Sequence, residues 1–317
     1  MNFGRAFSSA LVLLVSFVAA CSQASSPAAP STGDTDAGVV VDAGPATDPI
    51  ITARPYNIYV PPSYSADKAA PLVLAFHGYG SGDTGKILET YFHLKPVADK
   101  EGFLYITPDG LKDKDKQQFW NGTDACCDFY KNGSDDVAYV RAIIDDVAKH
   151  YNLDQKRVYV TGLSGGAFFV HRLACDLSDR VAAVFSVSGA TYADASKCKP
   201  KEGVAIVEMH GDMDDTVDYN GGTMDYGDLM GVAYPSAHDT VAHWAGYNGC
   251  TGALADTGTT YDLETQVPGA ETQVSTYSGC AKGDVELWTV KGGPHFTYLT
   301  SSFGPTVWSF FAAHPKK

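Results

Sequence analysis

The chain has 317 residues, a formal net charge of −14, and 44% hydrophobic against 19% charged residues. That apolar share is enough for a sizeable buried core, and the length beyond the N-terminal region suits one domain. The acidic balance opposes the electrostatic footprint of nucleic-acid binding, so no nucleic-acid partner is expected.

At the N-terminus, Arg5 precedes an apolar run over 10–20, too short to cross a bilayer, that ends in Val18-Ala19-Ala20-Cys21. The ending resembles a bacterial lipobox, which implies a signal peptide over 1–21, lipidation of Cys21 and export as a cell-surface or outer-membrane lipoprotein. The membrane would then be touched only through that lipid; an ordinary secretory signal is the alternative. Residues 22–51 are rich in Ser, Ala, Pro, Gly, Thr and Asp and hold no Lys, Arg or aromatic residue. Such a composition cannot bury a core, so a disordered tether is expected over 22–53, ahead of one catalytic domain over 54–317.

Within that domain β-branched and aromatic runs predict strands over 56–60, 72–76 and 103–107. After the second comes His77-Gly78-Tyr79-Gly80, followed by Gly85-Lys86-Ile87. Gly80-x-x-x-x-Gly85-Lys86 nearly spells a phosphate-binding loop, but Ile87 stands where a Mg²⁺-holding hydroxyl is needed. A helix follows over 137–151 with Ser134 as N-cap, then a strand over 158–161.

That strand runs into Gly162-Leu163-Ser164-Gly165-Gly166 and a helix over 165–177. In a chain with 32 Gly, about 0.2 matches to G-x-S-x-G arise by chance. The strand–turn–helix setting is what gives this one meaning: the sharp turn tolerates only small neighbours and exposes the serine hydroxyl above the sheet. The His-Gly turn upstream would then supply the Tyr79 amide to an oxyanion hole opposite that of Gly165.

A serine elbow calls for an acid and then a histidine further along. Strands over 183–187 and 204–209 come next, the latter ending in His210-Gly211-Asp212-Met213-Asp214-Asp215-Thr216-Val217. Asp214 is the expected acid, with Asp212 and Asp215 as alternatives. A helix over 239–247 and a strand over 285–290 lead into Lys291-Gly292-Gly293-Pro294-His295, making His295 the expected base. His77 and His210, each before a glycine at a strand end, are read as buttresses. A helix over 306–313 ends the alternation, which predicts an α/β-hydrolase fold: a mostly parallel sheet with helices on both faces and the site at the strands' carboxyl ends.

Setting aside Cys21, six cysteines remain, which fits an exported protein with three disulfides. Cys250 and Cys280 bracket one Gly/Thr-rich segment and are the natural pair. Cys126 and Cys127 are expected to bond elsewhere and not to each other, because adjacent cysteines form a strained ring; the pairing of the remaining cysteines stays open. His238 and His243 lie off one helical face, and no C-x-x-C or H-E-x-x-H occurs, so neither a metal nor an organic cofactor is expected.

Phe119-Trp120-Asn121-Gly122, Cys126-Cys127, Ser134-Asp135-Asp136-Val137, the serine elbow with Arg172-Leu173-Ala174-Cys175, and Gly292-Gly293-Pro294-His295 together resemble the secreted polyhydroxybutyrate depolymerase and feruloyl esterase family. The resemblance spans nearly the whole domain. It implies an α/β-hydrolase of the carbohydrate esterase 1 type whose Ser-Asp-His triad falls on Ser164, Asp214 and His295. The chain departs from the family pattern at Asp218, Pro294 and Phe296-Thr297, beside the expected cleft, which bears on substrate more than on chemistry.

The expected function is thus an exported serine esterase acting on feruloyl or related plant-polysaccharide esters, as a monomer. A polyester depolymerase is the alternative, and a non-catalytic surface-binding lipoprotein the third reading. Trp120 and Phe296 are the expected substrate-binding aromatics.

Overall fold

The computed structural model describes residues 38–42, 48–80 and 84–317. The expected signal peptide and the expected lipidation site Cys21 lie outside them. In chain order the elements are β1 (Val39–Asp42), α1 (Pro49–Ala53), β2 (Asn57–Val60), β3 (Ala70–Phe76), α2 (Thr84–Tyr91), α3 (Lys95–Glu101), β4 (Leu104–Ile106), β5 (Leu111–Lys112), β6 (Gln118–Phe119) and α4 (Asp136–His150). There follow β7 (Leu153–Leu163), α5 (Gly165–Asp176), β8 (Ala183–Val187), β9 (Ala205–Gly211), β10 (Gly222–Tyr226), β11 (Leu229–Tyr234), α6 (Ala237–Asn248), β12 (Leu254–Tyr261), β13 (Thr272–Tyr277), β14 (Val285–Val290) and α7 (Phe303–Ala313).

One ten-stranded sheet runs β1-β2-β4-β3-β7-β8-β9-β14-β13-β12. Its central strands, from β4 to β14, pair in parallel, and antiparallel strands close both edges. Strand periodicity explains the two cores. Leu72, Leu74 and Phe76 of β3 join α4, α5 and α6 on one face, whereas Val73 and Ala75 join α2, α3 and α7 on the other. Every residue of β3 and β9 is buried, as strands covered on both sides must be.

The predicted strands and helices all form, some a few residues longer and the strand expected over 103–107 one residue shorter at each end. Two expectations change. The fold begins before residue 54: β1 pairs with β2, and α1 is capped by Asp48 and buries Ile51, so the last part of the expected tether belongs to the domain. Ile51 anchors the helical turn in the core, and β1 adds an edge strand through its main-chain pairing with β2. The N-cap of α4 is Asp135, whose carboxylate accepts from the Ala138 N–H at 2.9 Å; Ser134 instead donates to Asp136.

Candidate active site

Ser164 sits between β7 and α5 with φ 54° and ψ −117°, a left-handed conformation rare for a residue with a side chain. Its N–H is held by the Val187 carbonyl at 2.9 Å. Glycines make the turn possible: a Cβ on Gly162 would lie 2.3 Å from the Gly166 oxygen, and one on Gly166 2.1 Å from the Phe76 oxygen. The hydroxyl therefore stands at the carboxyl edge of the parallel strands.

Asp214 and His295 reach the same point from the turns after β9 and β14. Ser164 Oγ lies 2.9 Å from His295 Nε2, and His295 Nδ1 lies 2.7 Å from Asp214 Oδ2. The other oxygen of Asp214 accepts from the Thr216 and Val217 amides, both at 2.8 Å. Burial would raise the pKa of this carboxylate, but hydrogen bonds from His210 and His295 outweigh it and hold the group ionised, well below the usual range. Of the two alternative acids, Asp212 accepts from Gly292 N–H and faces Lys291, and Asp215 is exposed. Neither takes the place of Asp214.

The His77-Gly78-Tyr79 turn lies across from the elbow. A Cβ on Gly165 would meet the Tyr79 amide nitrogen at 3.0 Å and Cys127 Sγ at 2.8 Å, so these backbones nearly touch. Gly165 opens α5, where N–H groups have no intrahelical acceptor. His77 is a buttress in the literal sense: Nδ1–H donates to the Gly78 carbonyl at 2.7 Å, and Nε2 accepts from Gly110 N–H at 2.8 Å. Burial lowers its pKa to about 4, which suits that neutral ring.

Three disulfides form: Cys175–Cys198, Cys250–Cys280 as expected, and Cys126–Cys127. The last corrects the expectation that these two bond elsewhere. Once the other four pair with one another, each is the other's remaining partner, and the cis peptide between them keeps their Cα atoms 3.0 Å apart. The loop that carries them is pinned by a half-buried ion pair, Arg54 to Asp136 at 2.5 Å, with Asp136 also accepting from Asn121 N–H at 2.8 Å.

Trp120 departs from its expected role. It is 1% exposed, stacked on Phe169 at 5.1 Å and edge-on to Phe76 at 5.0 Å, so it offers no face to a ligand. Phe296 is 60% exposed, with its ring 4.9 Å from that of His295. Sequence reasoning missed the β10–β11 hairpin, whose Tyr226 packs on Tyr79 at 5.7 Å and on Phe129 at 4.9 Å. It also missed Glu208, whose one signal was a carboxylate inside an otherwise apolar strand. Among the described residues no three or more His, Cys, Asp and Glu side chains converge as a metal site. A cleft of about 510 Å³ beside Gly203, Lys282 and Lys316 opens at the amino ends of β9 and β14, away from Ser164.

The parallel sheet, the serine elbow and the Ser-His-Asp relay at its edge define an α/β-hydrolase. More narrowly, the chain belongs to the esterase PHB depolymerase family, whose profile matches residues 54–241. It is 28% identical over 247 residues to feruloyl esterase B of Piromyces equi, covering 76% of this chain and 42% of that protein. It is 31% identical over 166 residues to the bifunctional acetylxylan esterase/xylanase XynS20E of Neocallimastix patriciarum, covering 52% of this chain and 22% of the relative. The chain thus spans less than half the length of these two curated relatives. The acetyl xylan esterase structure from Aspergillus awamori shares the fold, with a TM-score of 0.59 at 17% identity over 87% of this chain and 99% of that one.

Proposed function

We propose that this chain is a serine carboxylic-ester hydrolase, with Ser164 as nucleophile, His295 as general base and Asp214 as the acid that orients it. The supporting observation is the unbroken Ser164–His295–Asp214 hydrogen-bond chain, at 2.9 and 2.7 Å. His295 Nε2 takes the hydroxyl proton while Ser164 Oγ attacks the ester carbonyl carbon, and the amides of Tyr79 and Gly165 donate to the resulting oxyanion. The alcohol leaves with the proton from His295. Water, deprotonated by the same ring, then releases the acid and restores the serine.

Feruloyl or related plant-polysaccharide esters are the favoured substrates. The names of the two relatives support this class, as do Tyr79, Phe129 and Tyr226, whose rings pack together beside the Tyr79–Gly165 amides. Polyester depolymerisation is the second reading, favoured by Met213, Phe296 and Tyr298, which stand 59–69% exposed on the turns that carry Asp214 and His295. Rates on methyl ferulate, acetylated xylan and polyhydroxybutyrate separate the two. Turnover of ferulate with an inert polyester supports the first; clearing of polymer with an inert ferulate reverses the order; no hydrolysis even of p-nitrophenyl acetate refutes both.

Export through a lipidated Cys21 belongs to the same proposal. Three disulfides in the domain fit an oxidising compartment, and among the described residues no helix is long and apolar enough to cross a membrane. Cys21→Ala is expected to shift the protein from the membrane fraction to the soluble one, and a wild type already soluble refutes the anchor.

A further inference from the structure

Behind the triad runs a row of buried side chains that the ester chemistry leaves unused. Glu208 and His210 are two residues apart on β9, so both side chains point to the same face of the sheet, where His171 of α5 meets them. Glu208 and His171 are 0% exposed and His210 is 1% exposed. Trp244 Nε1–H donates to His171 Nδ1 at 3.0 Å, and His171 Nε2 lies 2.9 Å from Glu208 Oε2. Glu208 Oε1 lies 3.1 Å from His210 Nδ1, and His210 Nε2 lies 2.8 Å from the Val217 carbonyl and 3.2 Å from Asp214 Oδ2. That last oxygen is the one His295 holds.

Donor and acceptor chemistry assigns the protons along this row. An indole N–H only donates, so His171 Nδ1 accepts and the neutral ring carries its proton on Nε2, aimed at Glu208. Glu208 also receives the Gly189 N–H at 3.1 Å, a setting that suits an ionised carboxylate. At His210 a carbonyl faces one ring nitrogen and a carboxylate the other, and both can only accept. Each nitrogen must then bear a proton, which makes the ring an imidazolium. His77 shows the contrasting case, with a donor facing one nitrogen and an acceptor the other. Burial would lower the pKa of His210, but the hydrogen bonds to Asp214 and Glu208 prevail and push it up to about 10.

We propose that His210 is a standing imidazolium, fixed by Glu208, that acts as a positioning residue for ester hydrolysis by sharing Asp214 Oδ2 with His295. Its role rests on the triad reading above. A bare buried aspartate raises the basicity of the histidine it orients; a cation on the far side of the same oxygen offsets part of that pull. Activity should therefore persist to lower pH than an unopposed aspartate would allow. Few other charges intervene. His210 packs edge-on against the Tyr219 ring, whose hydroxyl meets His238, and on the two turns Asp212 is matched by Lys291 while Asp215 and Asp218 are exposed. His295 faces Ser164, Asp214 and the Phe296 ring.

Glu208→Gln tests the charge without changing the shape. The amide can accept from His171 and donate to His210 Nδ1, giving up the bond from Gly189 N–H that the same atom of Glu208 accepts, so His210 becomes a neutral ring that keeps its bond to Val217. The acid limb of the pH profile of kcat/KM is expected to move up by about one pH unit, whatever the plateau does. His210→Gln moves it the same way, and the double variant no further than His210→Gln alone, because the imidazolium is already gone. Lowered plateaus with an unmoved limb in both single variants make the row a structural support and overturn the proposal. Nitrogen-15 NMR of the imidazole rings, recorded on the folded wild type, needs neither variants nor turnover. Both ring nitrogens of His210 should stay protonated from about pH 5 to about pH 9; an unprotonated nitrogen at neutral pH overturns the proposal outright. Retained activity in Ser164→Ala would instead sink the triad reading, while the NMR result on His210 stands or falls separately.

Discussion

The two walls of the cleft are built by different means. One carries Asp214 and His295 on turns that follow neighbouring parallel strands, and those turns touch backbone to backbone: a Cβ on Gly211 would lie 2.1 Å from the Gly293 oxygen. Its polar atoms are tied to main-chain groups a few residues away. The other wall gathers Tyr79, Cys126–Cys127, Phe129 and Tyr226 from separate segments and holds them by ring packing, Tyr79 on Phe129 at 4.8 Å and Phe129 on Tyr226 at 4.9 Å. Where backbone geometry dictates a group's position, a substitution breaks chemistry. Where apolar contact does, a substitution changes fit and leaves the chemistry in place.

The sharpest break in the first wall is at its focus. Ser164→Ala removes the proposed nucleophile and should lower kcat on p-nitrophenyl acetate by about a millionfold, with the unfolding midpoint nearly unchanged because the turn keeps its glycines. Activity within tenfold of wild type would mean that another group attacks the ester. The second wall answers differently. Trp120→Ala deletes a ring packed between Phe76 and Phe169 and should cost about 3–5 kcal/mol of stability, read from urea unfolding. Activity per folded molecule should change far less; a large rise in KM with full stability would return Trp120 to the substrate.

The same contrast explains what the sequence made legible. Ser164, Asp214 and His295 stand on turns whose chemistry needs particular neighbours, such as Gly162, Gly166, Gly211 and Gly293, so short motifs carry them. β8 forms at the bounds its apolar run predicts, because a strand parallel to both neighbours is buried on both faces. The aromatic wall has no such signature. β10 and β11 mostly alternate exposed and half-buried residues, and Tyr226 lies far in sequence from Tyr79, so only the folded chain brings them together. Trp120 misled for the same reason: an aromatic two residues before a glycine looks alike whether it floors a groove or fills a core. The Cys126–Cys127 bond was hidden because adjacency argued against it, while the pairing that required it was tertiary.

Gly165 is where the walls meet, and it allows a graded test. A methyl group there would meet Cys127 Sγ at 2.8 Å and the Tyr79 nitrogen at 3.0 Å. Gly165→Ala should push the Tyr79 amide out of line and lower kcat by about 100-fold, the cost of losing one oxyanion donor. KM should move little, since the displaced amide acts on charge that develops after binding. An equal loss through KM alone would place this contact in substrate binding.

Tyr226 offers the mildest and most discriminating change. Its ring is 44% exposed and leans on Tyr79 and Phe129, so Tyr226→Ala leaves both partners in place and opens one side of the wall. An aromatic contact is worth about 1 kcal/mol beyond its burial. The variant should therefore lose about fivefold in kcat/KM on methyl ferulate, mostly through KM, yet keep its rate on p-nitrophenyl acetate, whose acetyl group is too short to reach the ring. An equal loss on both esters would mean that Tyr226 only props up Tyr79, so that this wall serves the oxyanion side and specificity resides near Phe296 instead.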